Sequence, residues 1–410
     1  MCGIAGIVTR EVGSSTERVA RMLQEIRHRG PDDFGVEEPE PGRVTLGNVR
    51  LAVIDLTPAG HQPMWTADRI MCIAYNGEIY NFADLRNELQ RIGHEFISHS
   101  DTEVILAGYR QWGTEVCDHL NGMFAFALWD GSQQQLFVAR DRMGKKPFYY
   151  WYRDGTLIFA SEIKAILTHP HVARQVDPEV LQCYLALGYS PSTRTMFKNI
   201  RKLEAGHLAT MSPSKGDLQV RRFWRPPAPT TETPPEPELK RLVRAEVTDA
   251  VSRRLVGDVP IGAFLSGGVD SSIVVGLMSR LMNRKVRTFS TAFEAGPRSF
   301  KYNVDAEAAA RVSGHFDTEH TEIRVTSEQI VESVHEVVRA LDEPVTTPMF
   351  QTYLLARAVR QNGVTVVLSG DGSDEVFGGY TRYLRNRMVD TVSHLPTPVL
   401  RGLETLGNRS

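Results

Sequence analysis

The chain has 410 residues, 41% of them apolar and 23% charged, with a formal net charge of −2. That length accommodates two or three domains, and so small a charge gives no electrostatic reason to expect nucleic acid or a membrane surface as partner. No run of about 18 apolar residues is present to span a bilayer, and acidic Glu11 and Glu17 stand where a secretory leader would be basic and then apolar.

At the very start, "MCGIAGIV" places a thiol at position 2, where chain ends fray and packing is hard to secure. A chemical role is the alternative to packing. Excision of Met1, permitted by the small Cys side chain, would leave Cys2 with a free α-amine. Such an amine has a pKa of about 7.7–8.0 and can act as base toward its own thiol. Residues 16–30 read as an amphipathic helix with Val19, Met22, Leu23 and Ile26 on one face and Gly30 as the stop, and residues 81–93 as another. Between and after them, "IMCIAY", "GMFAFALWD", "QLFVARD" and "TLIFA" predict strands of a mostly antiparallel sheet system. The first part is therefore α+β. The four cysteines, Cys2, Cys72, Cys117 and Cys183, lack C-x-x-C spacing, which argues against zinc and against a disulfide framework. A cytoplasmic protein with reduced thiols is expected.

Residues 226–238 hold six prolines in 13 positions and read as an extended connector between domains at 1–225 and 239–410. Beyond it the pattern becomes strand–helix alternation with wholly apolar strands, which predicts a parallel, doubly wound α/β sheet. Thr326 and Gln329 form a capping box ahead of a helix whose stripe is Ile330, Val334, Val337, Val338 and Leu341. In "HFDTEH", His315, Asp317, Glu319 and His320 fall between a helix and a strand and read as a solvated turn rather than a metal site.

Two loops carry the chemistry of this half. "FLSGGVDSS" joins an apolar strand to a helix N-terminus, where free N–H groups and the helix dipole favour an anion. Gly267 and Gly268 let the backbone approach a phosphate, Ser271 and Ser272 add hydroxyls, and Asp270 suits Mg²⁺. No G-K-[ST] follows, so no lysine holds a γ-phosphate. The loop suits cleavage of ATP to AMP and pyrophosphate, although the bare pattern also fits an ordinary Gly-Ser turn. "LSGDGSDEVFGGY", residues 368–380, offers Asp371, Asp374 and Glu375 at a second strand end, where ligands of doubly wound sheets gather.

Taken together, "MCGIAG", "RHRGPDD", "RLAVIDL", "YNGEIYN", "SDTE", "GMFAFALWD", "ARDRMGKKPFYY", "ASEIKAIL", "LSGGVDSS", "LDEP" and "LSGDGSDEVFGGY" occur in one order from residue 1 to about residue 385. In this the chain resembles the glutamine-dependent asparagine synthetase family. The resemblance implies an N-terminal-nucleophile (Ntn) hydrolase sandwich followed by an ATP-pyrophosphatase-type domain. It makes Cys2 the nucleophile toward the glutamine side-chain amide, with the Asn76 side chain and the Gly77 N–H as oxyanion donors. Arg50 and the following Leu51, Ala52, Val53 and Ile54 would line the glutamine site, Arg50 gripping the α-carboxylate while Glu78 and Asp101 face the α-ammonium. Asp101 also reads as the N-cap of the helix that follows it.

On the nucleotide side the resemblance places Leu265 and Thr291 around adenine and ribose. Ser266, Gly267, Gly268, Asp270, Ser271, Ser272, Ser369 and Gly370 would hold ATP, and Asp270 and Asp374 Mg²⁺. Asp371 stands where many relatives carry Glu, at a position tied to forming the acyl-adenylate, and Lys145 where Ile is frequent. The implied substrates are glutamine, ATP and aspartate or another carboxylate, and a homodimer is compatible with the family. Family members continue past "FGGY" with a lysine and an R-x-P-F-L-D-like stretch that this chain, ending at Ser410, does not contain. Glutamine hydrolysis without efficient synthesis is the expectation for it. A relative that aminates another carboxylate, and a glutaminase or nucleotide-binding regulator, are the competing readings.

Overall fold

The computed structural model describes residues 1–191, 193–228, 230, 233–294, 300–346 and 349–383. Pro229, Thr231 and Glu232 of the connector, and residues 384–410, lie outside the described residues. The chain divides into two compact units, one of Met1–Pro260 with Thr326–Thr365, the other of Ile261–Val325 with the chain from Val366.

The first unit begins with β1 (Gly3–Val8), α1 (Thr16–Glu25), β2 (Asp33–Glu40), β3 (Val44–Arg50), β4 (Met64–Trp65) and β5 (Met71–Ile79). Three helices follow, α2 (Phe82–Arg91), α3 (Asp101–Trp112) and α4 (Val116–His119). Next come β6 (Gly122–Asp130), β7 (Gln135–Arg140), β8 (Tyr149–Arg153), β9 (Thr156–Ala160), α5 (Ile163–Ile166) and α6 (Pro178–Leu187). The unit's remaining early elements are β10 (Ile200–Lys202), β11 (His207–Met211), β12 (Leu218–Arg222) and α7 (Glu236–Arg253).

Two six-stranded antiparallel sheets result, ordered β10-β8-β9-β1-β3-β2 and β12-β11-β7-β6-β5-β4. Their side-chain alternation explains the layering. In β6, Ala125, Ala127 and Trp129 face the other sheet, packing with Ile4, Val8 and Phe159, while Phe124, Phe126 and Leu128 face α2, α3 and α4. Because the strand is covered on both sides, its sequence is apolar at nearly every position rather than alternating. On the far side of the first sheet, Val19, Met22, Leu23 and Ile26 of the α1 region pack with Ile163 and Ile166 of α5. The unit is thus a helix–sheet–sheet–helix sandwich, and the apolar face read for residues 16–30 is its outer core.

The second unit contains β13 (Ile261–Phe264), α8 (Val269–Leu281), β14 (Arg287–Phe293), α9 (Phe300–Phe316) and β15 (Glu319–Val325). The chain then supplies α10 (Ser327–Leu341) and α11 (Met349–Gln361) to the first unit and returns as β16 (Val366–Leu368) and α12 (Ser373–Phe377). The sheet is wholly parallel in the order β15-β14-β13-β16. Strand order reverses between β13 and β16, which opens a crevice at their carboxyl ends.

Several sequence expectations are corrected. The last residues of the connector are helical, since α7 starts at Glu236 with Pro237 in its first turn. By contacts, residues 326–365 pack with the first unit, a grouping within which the domain bounds at 1–225 and 239–410 remain an expectation. The N-cap of α3 is Ser100, whose side chain accepts from the Thr102 N–H; Asp101 opens the helix. The capping box at Thr326 and Gln329 is present, but of the expected α10 stripe only Val337 is buried, and Val338 is 62% exposed. Glu319 and His320 begin β15 rather than a turn. His320 places its two ring nitrogens against Thr288 Oγ1 (2.9 Å) and Ser290 Oγ (3.1 Å).

Candidate active site

Cys2 precedes β1 by one residue, at the point where the strand enters the space between the sheets. Its Sγ donates to the Leu51 carbonyl at 3.7 Å, and its own carbonyl accepts from Arg29 Nε at 2.9 Å. Period-2 alternation puts Cys2 on the inter-sheet face with Ile4 and Val8, and puts Asn76 there from the opposite sheet with Cys72 and Ala74. Asn76 is wholly buried, and both of its side-chain atoms, Nδ2 and Oδ1, have no hydrogen-bond partner among the described residues. A native interior seldom leaves a buried amide unsatisfied.

The neighbouring backbone has the same character. Outward-facing N–H groups of β5 are taken in turn by side chains: Tyr75 N–H by Gln62 Oε1 at 2.8 Å and Ile79 N–H by Asp101 Oδ2 at 2.9 Å. Alternation turns the Gly77 N–H to the same side, between these two and beyond the end of β4.

Charged groups surround this strand. Arg50, at the end of β3, is 6% exposed, and its Nη2 donates to the Ile54 and Asp55 carbonyls at 3.1 and 2.6 Å. Leu51, Ala52, Val53 and Ile54 form the half-buried loop that follows; Ala52 N–H bonds Asp32 Oδ2, and the Val53 carbonyl accepts from Asp258 N–H. Glu78 is 9% exposed, and burial, assisted by the Asp101 charge, pushes its carboxyl up to about 7. Asp101 is raised by burial too, against the pull of its bonds to Ile79 and Tyr75, whose hydroxyl donates to Oδ2 at 2.8 Å.

Two residues without a role in the sequence reading belong here. Lys146 is 4% exposed; burial and the Arg29 charge bring its ammonium down to about 8, opposed by Cys2 and Glu78. Arg29 holds the Cys2 carbonyl. Both lie within the motifs "RHRGPDD" and "ARDRMGKKPFYY". The Met1 ammonium is enclosed beside Cys2, and burial lowers it to about 5. All four cysteines are free, and burial pushes the Cys72 and Cys117 thiols up.

In the second unit the two glycine loops meet at the crevice between β13 and β16. A Cβ on Gly370 would lie 2.8 Å from both Asp270 Cβ and Ser271 N, so the loops touch there without a side chain between them. Gly267 has φ +75°, and a Cβ would fall 2.4 Å from Ala308 Cβ, so glycine is required twice over. Ser266 and Ser271 hydroxyls lie 3.0 Å apart, and Ser271 Oγ donates to the Gly268 carbonyl, so Ser271 organises the loop. Ser272 follows it half-buried at the start of α8. Leu265 is buried, with its N–H on the Phe289 carbonyl, and Thr291 is half-buried in β14. Ser369 Oγ donates to Asp371 Oδ2 at 3.0 Å. Asp374 packs on Gly379, where a Cβ would lie 1.7 Å from Oδ1.

Two family models match in tandem: one described as a glutamine amidotransferase domain over residues 1–224, the other as asparagine synthase over residues 242–408. A Methanocaldococcus jannaschii protein provisionally named glutamine-hydrolysing asparagine synthetase 2 is 36% identical over 97% of this chain and 79% of its own. The chain belongs to the glutamine-hydrolysing asparagine synthetase family. Glutamine-hydrolysing asparagine synthetase 3 of Bacillus subtilis is also 36% identical, over 93% of this chain and 63% of its own, so the chain spans less than two thirds of that relative. Membership accounts for the tandem of an Ntn-type sandwich and a parallel nucleotide-loop sheet. No helix among the described residues is long and apolar enough to cross a membrane.

Proposed function

We propose that the chain hydrolyses glutamine at Cys2 and belongs to an ATP-dependent ligase that transfers the ammonia to aspartate, giving asparagine, glutamate, AMP and pyrophosphate. The observation that supports the first step is Asn76, a fully buried amide on the face it shares with Cys2, neither of whose polar atoms has a partner among the described residues.

The chemistry follows from that pairing. With Met1 removed, the α-amine of Cys2 takes the thiol proton, and Sγ attacks the glutamine amide carbon. Asn76 Nδ2–H and Gly77 N–H stabilise the resulting oxyanion, donors of a kind worth about 10²–10³ in rate each. The tetrahedral intermediate collapses with the proton passed to the leaving nitrogen, ammonia departs, and water cleaves the thioester to glutamate. Arg50 binds the α-carboxylate, and Glu78, backed by Asp101, the α-ammonium. Lys146 and Arg29 keep the surroundings of the thiolate cationic.

In the second unit the Gly267–Gly268 and Ser369–Gly370 backbones receive ATP at the strand switch point. Asp270 and Asp374 would supply hard carboxylate oxygens for Mg²⁺. Among the described residues no group of three or more His, Cys, Asp or Glu side chains could form a cage for a metal, and Mg²⁺ requires none, since it is held by one or two carboxylates plus nucleotide phosphates. When bound, Mg²⁺ would neutralise charge on the pyrophosphate leaving group. Asp371, held by Ser369, faces the acyl-transfer step. Supplied with amide-labelled glutamine, aspartate and Mg-ATP, the protein is expected to release glutamate, with AMP equal to any asparagine formed. ADP as the stoichiometric product would contradict this reading of residues 266–272.

A further inference from the structure

Arg29, which grips the Cys2 carbonyl, is one end of a buried line of alternating charges. Its Nη1 donates to Glu162 Oε1 at 2.8 Å, and His28 Nε2 lies 3.0 Å from the same oxygen. The other Glu162 oxygen accepts from Lys164 Nζ, which also pairs with Asp342 Oδ1 at 3.0 Å. Asp342 Oδ2 then accepts the Ile163 N–H at 2.6 Å and the Lys164 N–H at 3.4 Å. The four charged side chains are only 8–13% exposed.

The far end is anchored firmly. Asp342 has φ +60°, a conformation that costs a residue with a side chain. The next residue pins it: Glu343 accepts from Met196 N–H at 2.6 Å and Ser190 Oγ at 3.2 Å, and pairs with Lys202 Nζ at 3.0 Å. At the near end, Ser161 joins the same stretch to the nucleophile strand, its Oγ accepting from Ile4 N–H at 3.0 Å and its N–H donating to the Ile4 carbonyl at 2.9 Å. Desolvation offsets much of the Coulombic gain of buried ion pairs, so stability alone does not explain the length of the line. What such a line offers is fixed geometry.

We propose that Lys164 and Asp342 are positioning residues for glutamine hydrolysis, holding the Cys2 main chain, and with it Sγ, in line for attack through Glu162 and Arg29. The "LDEP" segment lies in the stretch matched by the asparagine synthase model, yet its carboxylates fix the nucleophile of the amidotransferase half. The inference rests on Cys2 as nucleophile. The relay touches none of Arg50, Glu78 or Asp101, so it governs turnover and leaves glutamine affinity alone.

The test compares the chain with Lys164→Met, Lys164→Arg and Asp342→Asn in glutamate release from glutamine, and follows iodoacetamide alkylation of Cys2 by peptide mass spectrometry. Lys164→Met and Asp342→Asn are expected to lower kcat by roughly ten- to a hundredfold, the cost of a misplaced reacting group, with KM unchanged and Cys2 alkylation altered. Lys164→Arg, which keeps the charge, should restore most of kcat. Unchanged kcat in Lys164→Met and Asp342→Asn, or a change confined to KM, overturns the relay while the Cys2 reading stands. A folded unsubstituted chain, freed of Met1, that releases no glutamate overturns both.

Discussion

At the scale of single residues, the proposed site is marked by groups whose ordinary requirements are unmet. Asn76 is the clearest, and Asn76→Ala is expected to lower kcat for glutamine hydrolysis by about 10²–10³, far more than it lowers stability, since no hydrogen bond to a described residue is lost. Steady-state kinetics with a melting curve checks it. Glu78 gives a pH signature. Its carboxyl is raised to about 7 by burial and by Asp101, so below that pH it is protonated and cannot pair with an ammonium. Accordingly kcat/KM for glutamine should fall as pH drops through about 7, more steeply than the Cys2 α-amine alone would make it, and Glu78→Gln should make that limb shallower while lowering the plateau. A pH profile of both proteins decides this. Cys2 and Asn76 were legible because their motifs name them. Lys146 was not, because burial of a lysine depends on the sheets that close over it, and a "KK" pair gives no sign of which member turns inward.

At the scale of elements, alternation along strands was readable and cap assignment was less so. The strands over 122–130 and 156–160 fall where β-branched, aromatic and small residues predict them. By contrast Ser100 and Asp101 are both competent caps, and the choice went to Ser100 because Tyr75 and Ile79 recruit the Asp101 carboxylate from across the core. The α10 stripe is present but mostly uncovered among the described residues: periodicity shows that a face is apolar, not what covers it. Glu162, at the turn into α5, has a stability consequence. Despite burial, its bonds to His28, Arg29 and Lys164 hold the carboxyl down at about 2, below the usual 4.5. The stabilisation is therefore present above pH 4.5 and lost as pH falls toward 2, a difference of about 3 kcal/mol. Acid unfolding of Glu162→Gln should show that increment missing, and coincident acid curves would contradict the assignment. The nucleotide loops give a separate prediction. Gly370→Ala wedges a methyl between Asp270 and Ser271, so ATP affinity should drop at least tenfold while glutamine hydrolysis continues; calorimetry and glutamate release measure the two arms.

At the scale of the whole molecule, the two units build their proposed sites in opposite ways. The sandwich buries an amide, an arginine and two carboxylates between and beside sheets, whereas the parallel sheet brings two glycine loops together where strand order reverses. Both architectures were legible from alternating antiparallel strands in one half and strand–helix alternation in the other. The assignment of residues 326–365 to the first unit was not, because contacts such as Asp342 with Lys164 and Glu343 with Lys202 join residues more than 140 positions apart. The central claim is that Cys2, freed of Met1, is the nucleophile for glutamine. It is tested most directly by glutamate release from the purified chain and from Cys2→Ala, with the N-terminus read by intact-mass spectrometry. The account predicts hydrolysis by a protein lacking Met1 and none above background by Cys2→Ala. Equal hydrolysis by the two, or full activity in protein that retains Met1, would contradict it.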